Sequence, residues 1–329
     1  MMDSDVRILP DSDVDITKSR WGDLTFYTRF RHFFKLTDPT NCLKGNKKLD
    51  EAQDIVKQYK SDGTMPVGGV EALWSAKYLY ESAFHPETGD KQNVIGRMSF
   101  QVPGGMVITG ILMAFYKSPL EVFLGQWLNQ SFNALVNFTN RSGDKPLPNS
   151  VILSAYFAAT SLATGASIGL NKTLAPRAPP IVGRFVPFIA VAVANMVNIP
   201  CMRSQELKEG VVIVDAEGNK LGQSVTAAQR SIVSTTFSRI CIAAPGMLMT
   251  PIIMEQLEKK PAIKALSKWK NCVLQTLLVG SFLLIAVPVG CSLFAQVQSI
   301  AVDDLEDDLK KAILAKDSSL KTVYYNKGL

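Results

Sequence analysis

The chain has 329 residues and a net charge of +6, from 35 Lys and Arg against 29 Asp and Glu. Apolar residues make up 47% of the chain and charged residues only 19%, below the roughly 25% that is usual in soluble domains. This composition excludes a disordered chain, collagen and a coiled-coil rod. It leaves a membrane protein or an unusually apolar soluble protein. Nucleic-acid binding is not favoured, because positive charge is also usual in the loops of membrane proteins.

Residues 1–97 are predicted to form an aqueous or interfacial helical region. The start is acidic and has no apolar segment, so we expect no cleavable targeting signal. Trp21–Leu36 mixes aromatic and basic residues, which indicates either an amphipathic helix at a membrane surface or an aromatic packing stripe. Apolar residues at helical spacing predict two further helices, Lys47–Lys60 and Glu71–Phe84.

Long runs without charge dominate the remainder of the chain. Asp and Glu are almost absent from these runs, whereas a soluble helical protein scatters them over its wet faces. A membrane-spanning helix needs about 20 mostly apolar residues. We therefore predict an all-α, polytopic membrane protein with a transmembrane domain over residues 98–298. Its five predicted spans are residues 98–117, 147–170, 184–202, 231–254 and 272–297.

Two segments outside these spans have patterns of their own. Residues 210–224 have two short apolar runs around an Asp-Ala-Glu-Gly-Asn turn, which predicts an exposed hairpin. Residues 299–329 are predicted to be a charged tail with a short helix.

Proline and glycine interrupt several of the predicted spans. Such residues free backbone polar groups, which neighbouring helices or cavity water must then satisfy. Helices that break near the membrane centre are typical of transporters, although proline is also common in ordinary membrane helices. The candidate break and gating positions are Pro103, Gly104, Gly105, Pro200, Pro245, Gly246 and Pro288.

Residues 119–140 predict an additional amphipathic helix, whose polar face carries amides instead of charges. At ~100° per residue the amides fall within an arc of about 100°. Amides both donate and accept, so they suit a small zwitterion, whose ammonium needs acceptors and whose carboxylate needs donors. Two alternatives remain: the amides bond this helix to its neighbours, or the helix lies among lipid headgroups. The substrate-binding candidates here are Asn129, Gln130, Asn133 and Asn137.

Arg239 is the one basic residue well inside a predicted span, and no predicted span contains an acidic residue. An ionisable group within a membrane is a functional candidate by default. Its side chain is expected to cap carbonyl groups, to reach the surface, or to bind the carboxylate of a substrate. Asn195 and Asn198, on one predicted helix just before Pro200, are secondary candidates.

The sequence shows no nucleophile–base pair, phosphate loop or metal-ligand spacing, so neither an enzyme nor a cofactor is predicted. The five cysteines form no CxxC pair, which argues against a zinc site or a disulfide framework. Iron transport would need clusters of His, Cys or carboxylates, but the two histidines, His32 and His85, precede the first span. A tricarboxylate would bring several negative charges to a cavity with one arginine, and burying unpaired charge is very costly.

Several long motifs point to a known family. They are His85-Pro86-Glu87-Thr88-Gly89, Ile95–Ser99, the asparagine-rich Gln126–Arg141, Gly183–Phe188, Asn198–Pro200, Ala243–Met247 and Asn326–Leu329. Through these motifs the chain resembles the sideroflexin family from Trp21 onward.

The resemblance implies a mitochondrial inner-membrane protein with about five spans that imports serine for one-carbon metabolism. Alanine and cysteine are implied as further substrates. The expected partners are therefore a small amino acid and the lipid bilayer. Inner-membrane proteins are further candidate partners, and no nucleic acid is expected. The alternative is a non-transporting scaffold or assembly factor for respiratory complexes or for iron or heme homeostasis. The resemblance supplies no agreed binding site, so the residue roles above rest on the residues alone.

Charge near the predicted spans gives an expected orientation. The basic loop Lys259–Lys270 would lie on the same side of a five-span protein as Lys172, Arg177 and Arg184. Lys and Arg concentrate on the inner side of membrane proteins. Five spans put residues 1–97 on that side too, so we expect them to face the matrix.

Overall fold

The computed structural model describes residues 14–22, 25–85, 88–139, 148–173, 177 and 179–328. Over these residues the chain forms a helical bundle, with a small helical region and a four-stranded sheet at one of its ends. The helices are α1 (Phe26–Leu36), α2 (Asn46–Asp62), α3 (Gly69–Ala83), α4 (Gln101–Ala114), α5 (Pro119–Thr139), α6 (Asn149–Thr173), α7 (Pro180–Met202), α8 (Ser204–Glu209), α9 (Val225–Leu257), α10 (Pro261–Lys264), α11 (Lys268–Ser292) and α12 (Asp307–Lys316). The strands are β1 (Val211–Val214), β2 (Lys220–Ser224), β3 (Val297–Ala301) and β4 (Thr322–Asn326).

The two predicted helices of the N-terminal region are confirmed as α2 and α3, which pack on each other. α2 ends at Gly63, whose left-handed backbone (φ 72°) is the usual way to stop a helix. Leu73 and Trp74 on α3 are buried against Val56 on α2. These contacts give the region an apolar core of its own.

α5 runs antiparallel to α4 and returns to the end of the bundle where α4 begins. Gly125, early in α5, packs against Leu112, late in α4. At the other end the Asn93 amide, before α4, donates to Thr139 Oγ1, the last residue of α5, at 3.3 Å. The amide-rich helix is therefore a sixth member of the bundle and does not lie across its surface.

The remaining long helices continue this up-and-down order. Asn171, near the end of α6, donates from Nδ2 to the Tyr116 carbonyl at 2.9 Å. At the opposite end Arg203, just after α7, donates from Nη2 to Ser231 Oγ near the start of α9 at 2.7 Å. α11 then starts near Glu121, which receives a hydrogen bond from Lys268 Nζ at 2.7 Å.

The bundle thus has two distinct ends. The sheet end holds residues 203–224 and 293–328, together with the N-terminal region, because Arg29 on α1 donates from Nε to the Ser292 carbonyl at 2.9 Å. The loop end holds residues 115–118 and 258–267. The expectation that residues 1–97 share a side with the Lys259–Lys270 loop is wrong, because α5 adds one more passage through the bundle.

Four of the described helices, α6, α7, α9 and α11, are long and apolar enough to cross a membrane, and a shorter apolar helix covers Met98–Ala114. Large apolar side chains point outward along them. On α9 these exposed side chains run from Val233 to Ile252, roughly 28 Å at 1.5 Å per residue, which matches a hydrocarbon layer of about 30 Å. The protein is a multi-pass helical membrane protein, as predicted.

The helices are not broken at the predicted proline and glycine positions, so this prediction is wrong. Pro200 lies within continuous α7, Pro245 and Gly246 within continuous α9, and Pro288 within continuous α11. Pro103 lies in the first turn of α4, where its missing N–H has no intrahelical partner to lose.

The glycines at these positions allow close packing of neighbouring helices instead. A Cβ on Gly104 would lie 2.7 Å from the Phe132 ring of α5, and one on Gly105 would lie 3.3 Å from Leu283 of α11. Small residues at such contacts let membrane helices approach. The proposed gating roles of these prolines and glycines stay predictions.

The sheet has the strand order β2-β1-β4-β3. The predicted hairpin is confirmed as β1 and β2, but β3 and β4 were not predicted, and the span predicted to end at 297 stops at Ser292. Ile213, Ile300 and Val323 are buried in the core of the sheet. Glu306 joins the sheet to the bundle, because its Oε1 accepts the Thr226 N–H of α9 at 2.8 Å.

Candidate functional site

The polar face of α5 is turned into the bundle. Gln126 and Gln130, one helical turn apart, are each only 1% exposed. Leu124 and Trp127 on the opposite face are about half exposed, at 49% and 48%. A helix with amides inside and apolar side chains outside fits a lipid environment, and this direction disfavours the alternative of a helix lying among headgroups.

Side chains from two other helices meet these glutamines. Gln126 donates from Nε2 to Ser167 Oγ of α6 at 3.5 Å, a long hydrogen bond. Gln130 Oε1 accepts from Asn198 Nδ2 of α7 at 3.3 Å. We call Gln126, Asn129, Gln130 and Asn198 the amide cluster. All four are buried, and two of them were candidates for substrate binding on α5.

The amide cluster keeps unused hydrogen-bonding capacity. Within the described residues, the buried acceptors Gln126 Oε1 and Asn198 Oδ1 have no partner, and neither do the buried donors Asn129 Nδ2 and Gln130 Nε2. Each unpaired buried polar group costs roughly 1–3 kcal/mol. The cluster therefore offers both donors and acceptors to a polar ligand, at a position where leaving them unpaired is unfavourable.

The cavity found beside the cluster is small. A cavity next to Gln126 and Ser167 has a volume of about 10 Å³, which is about the room for one water molecule. Its other walls include Tyr116 and Asn171, near the loop end. This cavity is too small to hold an amino acid.

The other amide candidates are placed differently. Asn133 and Asn137 continue along α5 toward the sheet end and are partly buried. Asn195 donates from Nδ2 to the Val191 carbonyl of its own helix at 3.0 Å, so its amide is already used within α7. The roles of these three residues in binding stay predictions.

Arg239 does not contact the amide cluster through any described hydrogen bond or ion pair. It lies on α9 near Cys291 of α11 and Lys327 of the C-terminal segment. This part of the bundle is close to the sheet end, since Lys327 lies beside Arg203. Arg239 is therefore separate from the amides, and its role in binding a substrate carboxylate stays a prediction.

The motif around His85 forms a turn. Its Nδ1 accepts the Thr88 N–H at 3.2 Å, and its carbonyl accepts the Gly89 N–H at 2.9 Å. Gly89 has a positive φ of 69°, which glycine adopts without strain. Pro86 lies outside the described residues. The geometry matches a turn-forming histidine, and no group of three or more His, Cys, Asp and Glu lies together in the described part of the chain.

Two members of this site were not singled out by sequence reasoning as binding candidates. Gln126 belonged to the predicted amide face, yet its position among the most deeply buried side chains was not foreseen. Ser167 sits in an ordinary apolar pattern of α6, and serine is too common in membrane helices to stand out. A pairing of α5 with α6 would have been needed to find it.

Comparison with known proteins decides the family. The sideroflexin family profile matches residues 15–329. This chain is a sideroflexin. It is 48% identical to sideroflexin-1 of Rattus norvegicus over 318 residues, which covers 96% of this chain and 98% of the relative.

Human relatives show the same degree of similarity to this sideroflexin. Sideroflexin-1 of Homo sapiens is 48% identical over 318 residues, and sideroflexin-3 of Homo sapiens is 47% identical over 317 residues. Each covers 96% of this chain and 98% of the relative. No solved structure matches the chain.

Proposed function

We propose that this sideroflexin is a transporter, without enzymatic activity, that moves serine across the mitochondrial inner membrane and so supports one-carbon metabolism. Alanine and cysteine are proposed as further substrates because they carry the same ammonium and carboxylate groups. The observation that carries the proposal is the buried amide cluster, with unused donors and acceptors inside a membrane bundle.

The polarity of the cluster favours a zwitterion over an ion. Amide N–H groups at Asn129 and Gln130 suit a carboxylate, and amide oxygens at Gln126 and Asn198 suit an ammonium. None of these four side chains is charged, so a substrate with a net charge would be buried without compensation, which is very costly. Serine carries both charges and a net charge near zero at neutral pH.

The small size of this cavity supports transport by alternating access. The cavity beside Gln126 has a volume of about 10 Å³, so serine would enter it only after α5 moves relative to α6 or α7. We propose that opening toward one end and then the other exposes the amides in turn. No acidic residue lies in the long apolar runs of the bundle, so we expect facilitated transport without a carboxylate proton relay.

Uptake of labelled serine by the purified chain in proteoliposomes tests this function. Saturable uptake that exceeds that of empty vesicles is expected, at a rate independent of a clamped pH gradient. Strict dependence on the gradient would contradict the uniport mechanism. Absence of any flux, with the protein folded and inserted, would contradict transport itself and would favour the alternative of an inner-membrane scaffold.

A further inference from the structure

A groove lies at the sheet end, between α1, the start of α9 and the chain that leaves α11. Its volume is about 680 Å³. Two guanidinium groups, Arg29 and Arg230, and the apolar side chains Val233, Leu293 and Phe294 line its walls. Positive charge next to apolar surface fits a ligand that has an anionic head and an apolar tail.

The groove is at the depth of the lipid headgroups. Val233, which is 67% exposed, is the last outward apolar side chain of α9 toward the sheet end, and Arg230 lies one turn further. One turn in the other direction, exposed Phe237 packs edge-on against Phe294, with ring centroids 6.2 Å apart. The groove thus runs from the edge of the apolar belt into the polar layer.

Lys327 lies among several basic groups, one of which, Arg29, lines the groove. Lys327 is only 6% exposed, and burial, together with the nearby Arg29, Arg203 and Arg239, lowers the pKa of its ammonium. Nearby cations lower the pKa of a lysine because they disfavour its charged form. An anion bound nearby would favour the charged form of Lys327.

Two of the arginines at this end have acidic partners. Arg203 pairs with Glu206, and Arg230 pairs with Asp304 at 2.9 Å. Within the described residues no acidic side chain forms an ion pair with Lys327. The Arg230–Asp304 pair is about half exposed on both sides, so a stronger anion can compete for Arg230.

α1, whose Arg29 lines the groove, carries a row of phenylalanines. Phe26, Phe30 and Phe34 follow each other at every fourth position, with ring centroids 6.3 and 5.7 Å apart. Phe26 and Phe34 are about half exposed. Aromatic side chains are enriched at membrane–water interfaces, and amphipathic helices of this kind lie in that plane.

We propose that this groove binds one anionic phospholipid, whose phosphate contacts Arg29 and Arg230 and whose acyl chains lie along Val233 and Phe237. Basic pockets between membrane helices hold phospholipid headgroups in this way. A free phosphate ion would leave the apolar wall of the groove in water, so the lipid is the occupant that uses both surfaces.

Native mass spectrometry of the full chain, released from micelles with equal amounts of phosphatidylglycerol and phosphatidylcholine, tests the proposal. We expect retention of one phosphatidylglycerol per chain in preference to phosphatidylcholine. A basic residue near an anionic lipid contributes about 1 kcal/mol, or about fivefold in affinity. Arg230→Gln should therefore lower the preference about fivefold, and Arg230→Lys should restore most of it.

Lys310→Gln is the matched control, because Lys310 pairs with exposed Asp303 at the same end and does not line the groove. It should leave lipid retention unchanged. Equal retention of the two lipids by the unaltered chain, or equal effects of the Arg230→Gln and Lys310→Gln changes, would overturn the proposal. In thermal unfolding, short-chain phosphatidylglycerol should stabilise the protein and inorganic phosphate should not. Equal stabilisation by inorganic phosphate would show that the groove binds the free ion, and would overturn the proposal that it binds a lipid.

Discussion

Replacement of Gln130 by leucine separates a binding role of the amide cluster from a purely structural one. Gln130 is buried, accepts one hydrogen bond from Asn198 at 3.3 Å, and has an unpaired donor at Nε2. Leucine is close to glutamine in volume and fits the surrounding apolar helices. The change removes the amide and leaves the shape of the helix contact nearly intact.

The two roles predict effects of different size. Interhelical hydrogen bonds in membranes average about 0.6 kcal/mol. Gln130→Leu removes one unsatisfied buried donor, Gln130 Nε2, but leaves another, Asn198 Nδ2, so these two costs nearly cancel. We therefore expect the free energy of unfolding to change by about 1 kcal/mol or less. If Nε2 binds the serine carboxylate during transport, losing a hydrogen bond to a charged group costs about 1.5–3 kcal/mol. That cost corresponds to at least about a tenfold loss of flux.

The assay is the initial rate of serine uptake in proteoliposomes, divided by the amount of folded, inserted protein. Thermal unfolding of the same preparation gives the stability. Thr160→Val is the matched control, because the hydroxyl of buried Thr160 donates to the carbonyl of Tyr156 within its own helix. Unchanged flux per folded Gln130→Leu protein, or an equal loss in Thr160→Val, would refute the assignment of Gln130 to the binding site.

Three further predictions concern packing, pH and topology. Gly104→Ala should lower the free energy of unfolding by about 1–3 kcal/mol, measured by thermal unfolding, because the new Cβ would lie 2.7 Å from the Phe132 ring of α5. Gly165→Ala is the control and should leave the free energy of unfolding unchanged, because the space around Gly165 is open. Burial acts to raise the pKa of Glu306, but hydrogen bonds from Thr226, Ser224 and Val225 outweigh it and lower this pKa overall. The stabilisation by Glu306 is therefore present above the ordinary pKa of about 4.3 and is lost as pH falls. The melting-temperature advantage of the unaltered chain over Glu306→Gln should therefore shrink between pH 7 and pH 3.5, and a constant gap would contradict this. An impermeant maleimide should label Lys48→Cys and Lys264→Cys from opposite sides of the membrane. Labelling of both from the same side would mean that α5 does not cross the membrane, and would contradict the six-helix bundle.

The helices of this protein were largely predictable, because hydrophobic runs and missing acids are properties of single segments. The course of α5 was not predictable in this way. Its amides lower its hydropathy, so it does not resemble a span, and only its contacts with Leu112 and Thr139 reveal that it runs the length of α4. The expectation that residues 1–97 share a side with the Lys259–Lys270 loop was wrong for this reason.

The site and the sheet depended on long-range contacts in the same way. Asn198 was a candidate, but its bond to Gln130 joins residues 68 positions apart in the chain. β4 lies in a charged tail and gains its place from pairing with β1 and β3. The prolines could be located in the sequence, but their effect on the helices could not be predicted. Packing against neighbouring helices keeps these helices continuous, and a single sequence does not show which helices pack together.

The central claim is that the amide cluster recognises both charged groups of a small amino acid. Equilibrium binding of labelled serine to the purified protein, with competition by alanine, ethanolamine and glycolate, measures this most directly. Ethanolamine lacks the carboxylate and glycolate lacks the ammonium. We predict that alanine competes and that the other two compete at least about tenfold more weakly, because each leaves amide groups unpaired. Competition by glycolate or ethanolamine as strong as that by alanine would contradict the claim.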